Sequence, residues 1–232
     1  MQETLNFGKG EKENIRKILF GFEQAQTTNY FEEQRVKRNG CTITLYESGK
    51  LSIQGPNAAK VKDEILSMMG LSQELVIGMD ETGRGEKTCP LVITGVLADT
   101  NELRQVRHSK KTTDIAAKEK IVSEKMLGSV SVVLNSRLVD LARKRGLNLN
   151  EIEAAAMDKI SEFLSIFGEA KIIADGAPMK TANKKINFAP KADDSEPVVG
   201  AASIVAKHLR NISSDSGERK TWNTKEGKKN IE

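Results

Sequence analysis

The spacing of hydrophobic and polar residues divides the chain into two parts, and the first part covers residues 1–70. Apolar residues recur at helical spacing in ENIRKILFGF, and they alternate with polar residues around a Ser-Gly turn in TITLYESGKLSIQG. Another hairpin turn is predicted at Asn39-Gly40, a dipeptide favoured in tight β-hairpins. A closing amphipathic helix is predicted for GPNAAKVKDEILSMMG. We therefore expect a small α+β unit made of a helix, an antiparallel meander and a second helix.

Longer apolar runs begin at Leu75 and alternate with helical patterns as far as residue 212. Buried strands are predicted for LVIGMD, PLVITGVL, VSVVLN and KIIAD. Helices are predicted for AAKEKIVSEKML, RLVDLARKRG, NEIEAAAMDKISEFLSIF and PVVGAASIVAKHLRN. This alternation is typical of an α/β sheet domain. Residues 213–232 contain few apolar positions, which predicts a polar C-terminal tail.

Composition narrows the class of protein without deciding its function. The 232 residues are 38% hydrophobic, which is enough to form one or two cores. The net charge of +4 suits a polyanionic partner without requiring one. Two cysteines far apart, with no Cys/His cluster, indicate neither a zinc site nor a disulfide framework. No apolar run has the length of a membrane span, so we expect a soluble, cytoplasmic protein with no membrane partner.

Two adjacent carboxylates, Asp80 and Glu81, follow a predicted buried strand in MDETGRGE. Side chains alternate along a strand, so both can serve one site only if the strand ends there. Gly83 and Gly85 favour such an ending because glycine permits tight turns and leaves amide groups open to a close ligand. Asp175 ends another predicted strand, and we expect it to converge with Asp80 on a neighbouring strand.

Carboxylates brought together repel one another unless a cation joins them. Hard oxygen ligands of this kind select Mg²⁺ or Mn²⁺, and a carboxylate-held metal pair can promote phosphodiester cleavage. Lys110 and Lys111 lie in a polar segment and are candidates for contact with a nucleic-acid backbone. An Asp-Glu pair before a glycine turn also occurs in ordinary solvated loops, and single lysines commonly serve solubility alone. The motif by itself leaves both interpretations open.

Five segments of the chain resemble, in order and approximate spacing, those of the type 2 ribonucleases H. They are VIGMDETGRG with PLVITGVL, SKK at residues 109–111, NEIEAAAM, IADG and GAASIVAKHLRN. The resemblance spans about Leu75 to Asn211. The first unit is similar to the TBP-like substrate-binding domain that precedes the catalytic domain of ribonuclease HIII, whereas the GRG sequence resembles ribonuclease HII.

This resemblance implies a domain layout. A ribonuclease H-like mixed sheet flanked by helices is expected over residues 75–212. A small α+β TBP-like substrate-binding domain would precede it over residues 1–70. Residues 213–232 would follow as the polar tail.

The resemblance also implies an activity and its residues. It implies an endonuclease that cleaves the RNA strand of RNA/DNA hybrids with two Mg²⁺ or Mn²⁺ ions, leaving 3′-hydroxyl and 5′-phosphate ends. By matched position, Asp80, Glu81 and Asp175 are the expected metal ligands and catalytic residues. The turn formed by Gly83, Arg84 and Gly85 is expected to read the ribose 2′-hydroxyl, which separates RNA from DNA. Lys110 and Lys111 are the expected phosphate contacts.

One departure from the family pattern affects the catalytic set. Asn211 stands where ribonuclease HII has a fourth carboxylate. An amide oxygen can bind a metal, but it carries no negative charge and cannot act as a base. Either another acid takes this role or Asn211 is a disabling change, which would leave a hybrid-binding protein without turnover. The acids considered for the role are Asp193, Asp194, Glu196 and Asp215.

Two further expectations concern the substrate, and one concerns the oligomeric state. In the first unit, the candidate contacts to the hybrid are Arg35, Lys37, Arg38 and Lys50, with Tyr30 or Tyr46 able to stack on a base or sugar. The chain has no tyrosine after Tyr46, whereas ribonuclease HII uses one near its C-terminus, so we expect poor cleavage at a single embedded ribonucleotide. We expect the protein to act as a monomer. A different metal-dependent nuclease on a ribonuclease H-like core is the remaining alternative.

Overall fold

The computed structural model describes residues 2–71, 74–88, 90–104, 114–181, 183–214 and 217–222. The chain forms two compact units, residues 1–73 and residues 74–232. In the first unit the elements are β1 (Gln2–Asn6), α1 (Lys9–Phe20), β2 (Glu23–Ala25), β3 (Glu32–Arg38), β4 (Cys41–Tyr46), β5 (Lys50–Gln54) and α2 (Ala58–Met68). In the second they are β6 (Leu75–Thr82), β7 (Leu91–Asp99), α3 (Thr100–Leu103), α4 (Ile115–Lys125), β8 (Gly128–Leu134), α5 (Ser136–Lys144), α6 (Leu149–Leu164), a 3₁₀ turn (Ser165–Phe167), β9 (Lys171–Asp175), β10 (Ile186–Ala189), α7 (Ala192–Ser195) and α8 (Pro197–Ile212).

The first unit is an antiparallel sheet covered by helices on one face. Its strands lie in the order β1-β5-β4-β3-β2. Ile43, Leu45 and Ile53 are fully buried with the apolar side chains of α1 and α2. Because side chains alternate along a strand, residues such as Thr44 and Ser52 belong to the other face. The sheet therefore presents an apolar face to the helices and a polar face away from them.

The second unit is a mixed sheet with helices on both faces. Its strands lie in the order β10-β9-β6-β7-β8; β7 pairs antiparallel with β6 and β8, and β9 pairs parallel with β6 and β10. One core contains Ile77 and Met79 of β6 with side chains of α6. The other contains Val76 of β6 with side chains of α8. Strand β6 is therefore the central strand on which both cores are built.

The strands and helices predicted from long apolar patterns are present, while β1, β2, β10 and the short helices α3 and α7 were not predicted. The missed strands are short, and β1 and β2 are largely polar. Strand β1 is positioned by pairing with β5 from Gln2↔Gln54 to Asn6↔Lys50, which local sequence does not reveal. No helix within the described residues is long and apolar enough to cross a membrane.

The predicted polar C-terminal tail includes residues 217–222, and the structure shows this segment attached to the second unit. Arg219 in this segment is only 1% exposed, and its backbone N–H donates to the carbonyl of Lys87 at 2.9 Å. The segment is held by hydrogen bonds rather than by apolar burial, so hydrophobic patterning gave no signal for it.

Helix α8 closely approaches β6 at Gly78. A Cβ atom on Gly78 would lie 2.4 Å from the backbone carbon of Val198, with no flexible side chain able to move aside. A Cβ atom on Gly128, at the start of β8, would meet nothing within 4 Å. The contact between the central strand and α8 therefore requires glycine at position 78.

We expect Gly78→Ala to lower the free energy of unfolding of the second unit by about 1–3 kcal/mol, because the strand and helix must separate. Gly128→Ala is the matched control and should change it by less than about 0.5 kcal/mol. Urea unfolding followed by fluorescence of Trp222, the only tryptophan, reports on this unit. If both substitutions changed the free energy of unfolding equally, the close contact between β6 and α8 at Gly78 would be contradicted.

Candidate active site

Strand pairing brings the two predicted strand-end carboxylates together. Strands β6 and β9 are parallel neighbours, and their register pairs Met79 with Ala174. The next residues along each strand, Asp80 and Asp175, therefore lie side by side. The two carboxyl groups are close enough to interact, since the negative charge of Asp175 raises the pKa of Asp80. The predicted convergence of these two side chains is thus observed.

Asp80 and Glu81 lie on opposite faces of the sheet, and the expected strand end between them is absent. Strand β6 stays extended through Thr82 because it pairs with β7 as far as Thr82↔Val92. The hydroxyl of Ser203 on α8 donates to Asp80, whereas Glu81 interacts with Glu153 on α6. The acidic group therefore occupies both sides of the sheet edge rather than one face.

Burial raises the pKa of both carboxyl groups of β6. Desolvation raises the pKa of Asp80 to about 7, and Glu81 and Asp175 add to the effect while Ser203 opposes it. Desolvation also raises the pKa of Glu81 to about 7, with Glu153 and Asp175 contributing and Arg84 opposing. A cation bound between such groups would relieve both the desolvation and the repulsion. This donor set of hard carboxylate oxygens fits Mg²⁺ or Mn²⁺.

The carboxylates do not form a closed metal cage by themselves. Among the described residues, no group of three or more His, Cys, Asp or Glu side chains is placed to hold a metal ion. One oxygen of Asp175 is engaged, since Oδ1 accepts a hydrogen bond of 2.6 Å from the N–H of Ala192. A metal here would need water or substrate oxygens to complete its coordination, as is usual for Mg²⁺ at phosphate-handling sites.

The glycine turn that follows β6 is sterically restricted at its first glycine. Gly83 has a φ of 85°, and a Cβ atom there would lie 2.2 Å from the carbonyl oxygen of Pro90. Arg84 folds back onto α6, where it pairs with the carboxylate of Glu153 and donates to Asn150 Oδ1 at 2.5 Å. Gly85 is exposed at the surface. The turn therefore has a fixed base and an accessible tip.

Glu153 is a member of the acidic group that sequence reasoning missed. It is fully buried, and within the described part of the chain its Oε1 has no hydrogen-bond partner. Burial raises its pKa to about 7, although Arg84 and Arg219 oppose the shift. The available signal was the spacing of Asn150 and Glu153, which places both on one face of α6 at helical separation. The segment NEIEAAAM was noted as a family feature, but no role was given to its second glutamate.

The structure describes three of the four acids that were considered for the fourth position, namely Asp193, Asp194 and Glu196. Asn211 is exposed in the last turn of α8. The acids that raise the pKa of Asp80 are Glu81 and Asp175, and those that raise the pKa of Glu81 are Glu153 and Asp175. Neither set includes Asp193, Asp194 or Glu196. Asp215, Lys110 and Lys111 lie outside the described residues. Glu153 is therefore the additional carboxylate that the described structure brings to this group.

The two basic residues predicted as contacts in the first unit have different surroundings. Arg38 pairs with Glu64 of α2 and lies over the ring of Phe22 at 4.9 Å. Lys50 belongs to the polar face of the sheet, with its ammonium group 5.8 Å from the ring centre of Tyr46. Lys50 is thus exposed, whereas Arg38 is already engaged in an ion pair.

The family model for ribonuclease HII matches residues 77–230, about two thirds of the chain. The chain belongs to the ribonuclease HII family. A ribonuclease HII from Methanobrevibacter smithii is 37% identical over 153 residues, which cover 58% of this chain and 72% of the relative. By family, therefore, the chain is a ribonuclease H, as the sequence motifs indicated.

Solved structures with a similar fold come from ribonucleases HIII. The crystal structure of Aquifex aeolicus RNase H3 matches with a TM-score of 0.52 and 21% identity, covering 90% of this chain and 84% of its own. A structure of Bst-RNase HIII in complex with Mn²⁺ matches with a TM-score of 0.55 and 19% identity, covering 91% of this chain and 81% of its own. These matches reach into both units, and they confirm the ribonuclease H-like fold of mixed sheet and flanking helices.

The raised pKa values predict how stability depends on pH without metal. Asp80 and Glu81 titrate near 7 when folded but near 4 when unfolded, so the folded chain binds more protons between these values. Their contribution to the free energy of unfolding therefore falls as pH rises from about 4 to about 7.

We expect Asp80→Asn to stabilise the metal-free protein at pH 8 by about 1–3 kcal/mol, because a neutral amide avoids a desolvated charge. Near pH 5, where Asp80 is already protonated, the difference should disappear. Urea unfolding in the presence of a chelator, followed by Trp222 fluorescence, measures the stability difference at each pH. Glu169→Gln, at an exposed position, is the control. A stability change that is the same at both pH values would contradict the assigned cause.

Proposed function

We propose that the chain is an endonuclease that cleaves the RNA strand of RNA/DNA hybrids and leaves 3′-hydroxyl and 5′-phosphate ends. The observation that carries the proposal is the pair of desolvated carboxyl groups of Asp80 and Glu81, with Asp175 on the neighbouring strand and a glycine turn beside them, in a chain of the ribonuclease HII family. Buried like charges of this kind are costly without a cation, which favours a metal site over a solvated loop.

Two Mg²⁺ or Mn²⁺ ions would supply an activated water and stabilise the leaving oxygen. Asp80 and Asp175 would hold the ions between neighbouring strands, and Glu81 would orient an ion or its water from the opposite face. Ser203 donates to Asp80, and Lys207 Nζ donates to the hydroxyl of Ser203 at 2.7 Å. This relay fixes the orientation of the Asp80 carboxylate.

The accessible tip of the glycine turn would read the ribose. Backbone amides of Arg84 and Gly85 can donate to a 2′-hydroxyl, which only RNA presents. Arg84 supports this role from behind, since its side chain is held on α6 by Glu153 and Asn150. The turn therefore offers backbone donors rather than the guanidinium group to the substrate.

A second function, hybrid binding without turnover, is favoured by one observation. Asn211 carries no charge where the family places a fourth carboxylate, and it is exposed on α8. Glu153 adds a carboxylate to the group from another helix, but it is already paired with Arg84. The two functions differ in whether the site retains enough negative charge for catalysis. A cytoplasmic location and a monomeric state are part of the proposal.

Cleavage of a labelled RNA/DNA hybrid in Mg²⁺ and in Mn²⁺ tests the proposal. We expect the parent protein to cut the RNA strand and Asp175→Asn to lose at least about 100-fold in rate, because one metal-holding carboxylate is neutralised. Asn211→Asp distinguishes the two functions, since a disabled nuclease would cut only after this change. A parent protein that neither binds nor cuts the hybrid, with Asn211→Asp equally inactive, would refute both.

The polar face of the first unit generates a separate prediction. Lys50 and Tyr46 share this face, whereas the exposed Lys60 lies on α2 at the opposite face. We expect the double variant Lys50→Gln with Tyr46→Ala to weaken hybrid affinity about five- to fiftyfold, through loss of a phosphate contact and a stacking ring. Lys60→Gln should change it less than twofold. Fluorescence anisotropy in Ca²⁺ measures the hybrid affinity of each variant. An equal loss of affinity in the double variant and in Lys60→Gln would assign the effect to net charge alone.

A further inference from the structure

The segment of residues 217–222, here called the C-terminal strap, is attached to the glycine turn by main-chain hydrogen bonds. The N–H of Arg219 donates to the carbonyl of Lys87 at 2.9 Å, and Thr88 and Glu218 form an antiparallel bridge. Lys87 Nζ also lies 2.8 Å from the carboxylate of Glu218. The strap therefore runs beside the residues that immediately follow the turn.

The other end of the strap is anchored on α5 by a single carboxylate. Asp140 accepts hydrogen bonds from the N–H of Lys220 at 2.8 Å, the N–H of Thr221 at 3.0 Å and the hydroxyl of Thr221 at 2.6 Å. Burial alone would raise the pKa of Asp140, but the hydrogen bonds from Thr221 and Lys220 outweigh it and lower the pKa. A charged anchor with three donors resists displacement of the strap.

The side chain of Arg219 reaches from the strap into the base of the glycine turn. Its Nη2 donates to the carbonyl of Gly83 at 2.7 Å, and its Nη1 donates to the carbonyl of Arg84 at 3.2 Å. At 1% exposure it is the largest of the fully buried side chains in the described residues. A buried guanidinium with a rigid fork of donors fixes the positions of two successive carbonyl groups.

Fixing these carbonyls also fixes the amides on the opposite side of the same peptide planes. In a trans peptide the C=O and N–H bonds point in opposite directions, so the carbonyls of Gly83 and Arg84 orient the N–H groups of Arg84 and Gly85 away from Arg219. Within the described residues, neither N–H group donates a hydrogen bond. A cationic donor at the carbonyl also polarises the peptide and strengthens its N–H as a donor.

We propose that Arg219 is a positioning residue for ribose recognition, acting through the peptide planes of the glycine turn without touching the substrate. The inference rests on the proposed function, because it assigns a cause to the selectivity of the same site. The N–H groups of Arg84 and Gly85 are held by Arg219 in the direction needed to donate to a 2′-hydroxyl. Loss of Arg219 should therefore lower discrimination between sugars more than it lowers binding to the duplex.

A simpler role for Arg219 would be to balance the buried charge of Glu153, because the positive charge of Arg219 acts to lower the pKa of Glu153. That role predicts lower stability and a uniform loss of activity on every substrate. Only a positioning role predicts a loss confined to the substrate that carries a 2′-hydroxyl. The two roles are therefore separated by a ratio of affinities rather than by activity alone.

The test compares an RNA/DNA hybrid with a 2′-fluoro-RNA/DNA hybrid of the same sequence, which keeps the A-form helix but replaces the hydroxyl oxygen that accepts from these amides with fluorine, a poor acceptor. Affinities are measured by fluorescence anisotropy in Ca²⁺, and kcat and KM on the RNA hybrid in Mg²⁺. The variants are Arg219→Gln, Arg219→Lys and the exposed neighbour Lys220→Gln as a matched loss of one positive charge. Thermal melting confirms that each variant is folded.

We expect Arg219→Gln to reduce the ratio of the two affinities by about three- to tenfold, the range of one hydrogen bond. Arg219→Lys, which keeps the charge but not the fork, should recover part of the ratio and serves as the test if Arg219→Gln does not fold. Lys220→Gln should weaken both duplexes equally and leave the ratio unchanged. An unchanged ratio in folded Arg219→Gln or Arg219→Lys overturns the inference while leaving the proposed function intact. A parent protein that neither cuts the RNA hybrid nor prefers it would instead refute the proposed function.

Discussion

The buried acidic end of β6 is the constraint on which the rest of the second unit depends. Carboxylates without a nearby cation are costly in a desolvated environment, so this strand end must be held by contacts that do not rely on the carboxylates themselves. Pairing with β7 and β9 supplies the backbone hydrogen bonds, and the two apolar cores fasten the strand from both faces. The sheet thus keeps together charged groups that would otherwise separate.

The two carboxylates of β6 face different chemical environments because a strand alternates. Asp80 faces α8, where Ser203 and Lys207 form a line of donors. Glu81 faces α6, where the buried Glu153 forms an ion pair with Arg84 of the glycine turn. Asp175 influences both because it lies beside them on β9. One pair of adjacent residues can therefore take two distinct roles without any distortion of the strand.

The sequence was informative where function coincides with a local pattern. The apolar run LVIGMD predicted β6. The positions of Asp80 and Asp175 directly after apolar runs predicted their convergence, since neighbouring parallel strands share an edge. Long helices α6 and α8 followed from periodicity. Polar segments carried no such signal: β1 depends on its pairing with β5, and the strap depends on Asp140, which precedes it by about 80 residues. Glu153 and Arg219 were missed because each acts through a partner distant in sequence.

The strap ties the last part of the chain to the first strand of the second unit. The hydrogen bond between Arg219 and Gly83 joins residues that are 136 positions apart. Contacts of such long range form late in folding because they close a large loop. During synthesis from the N-terminus, the sheet can assemble before the residues that complete the glycine turn have left the ribosome. A chain without residues 217–222 would then hold its sheet but lack the contact that orients the amides of the glycine turn.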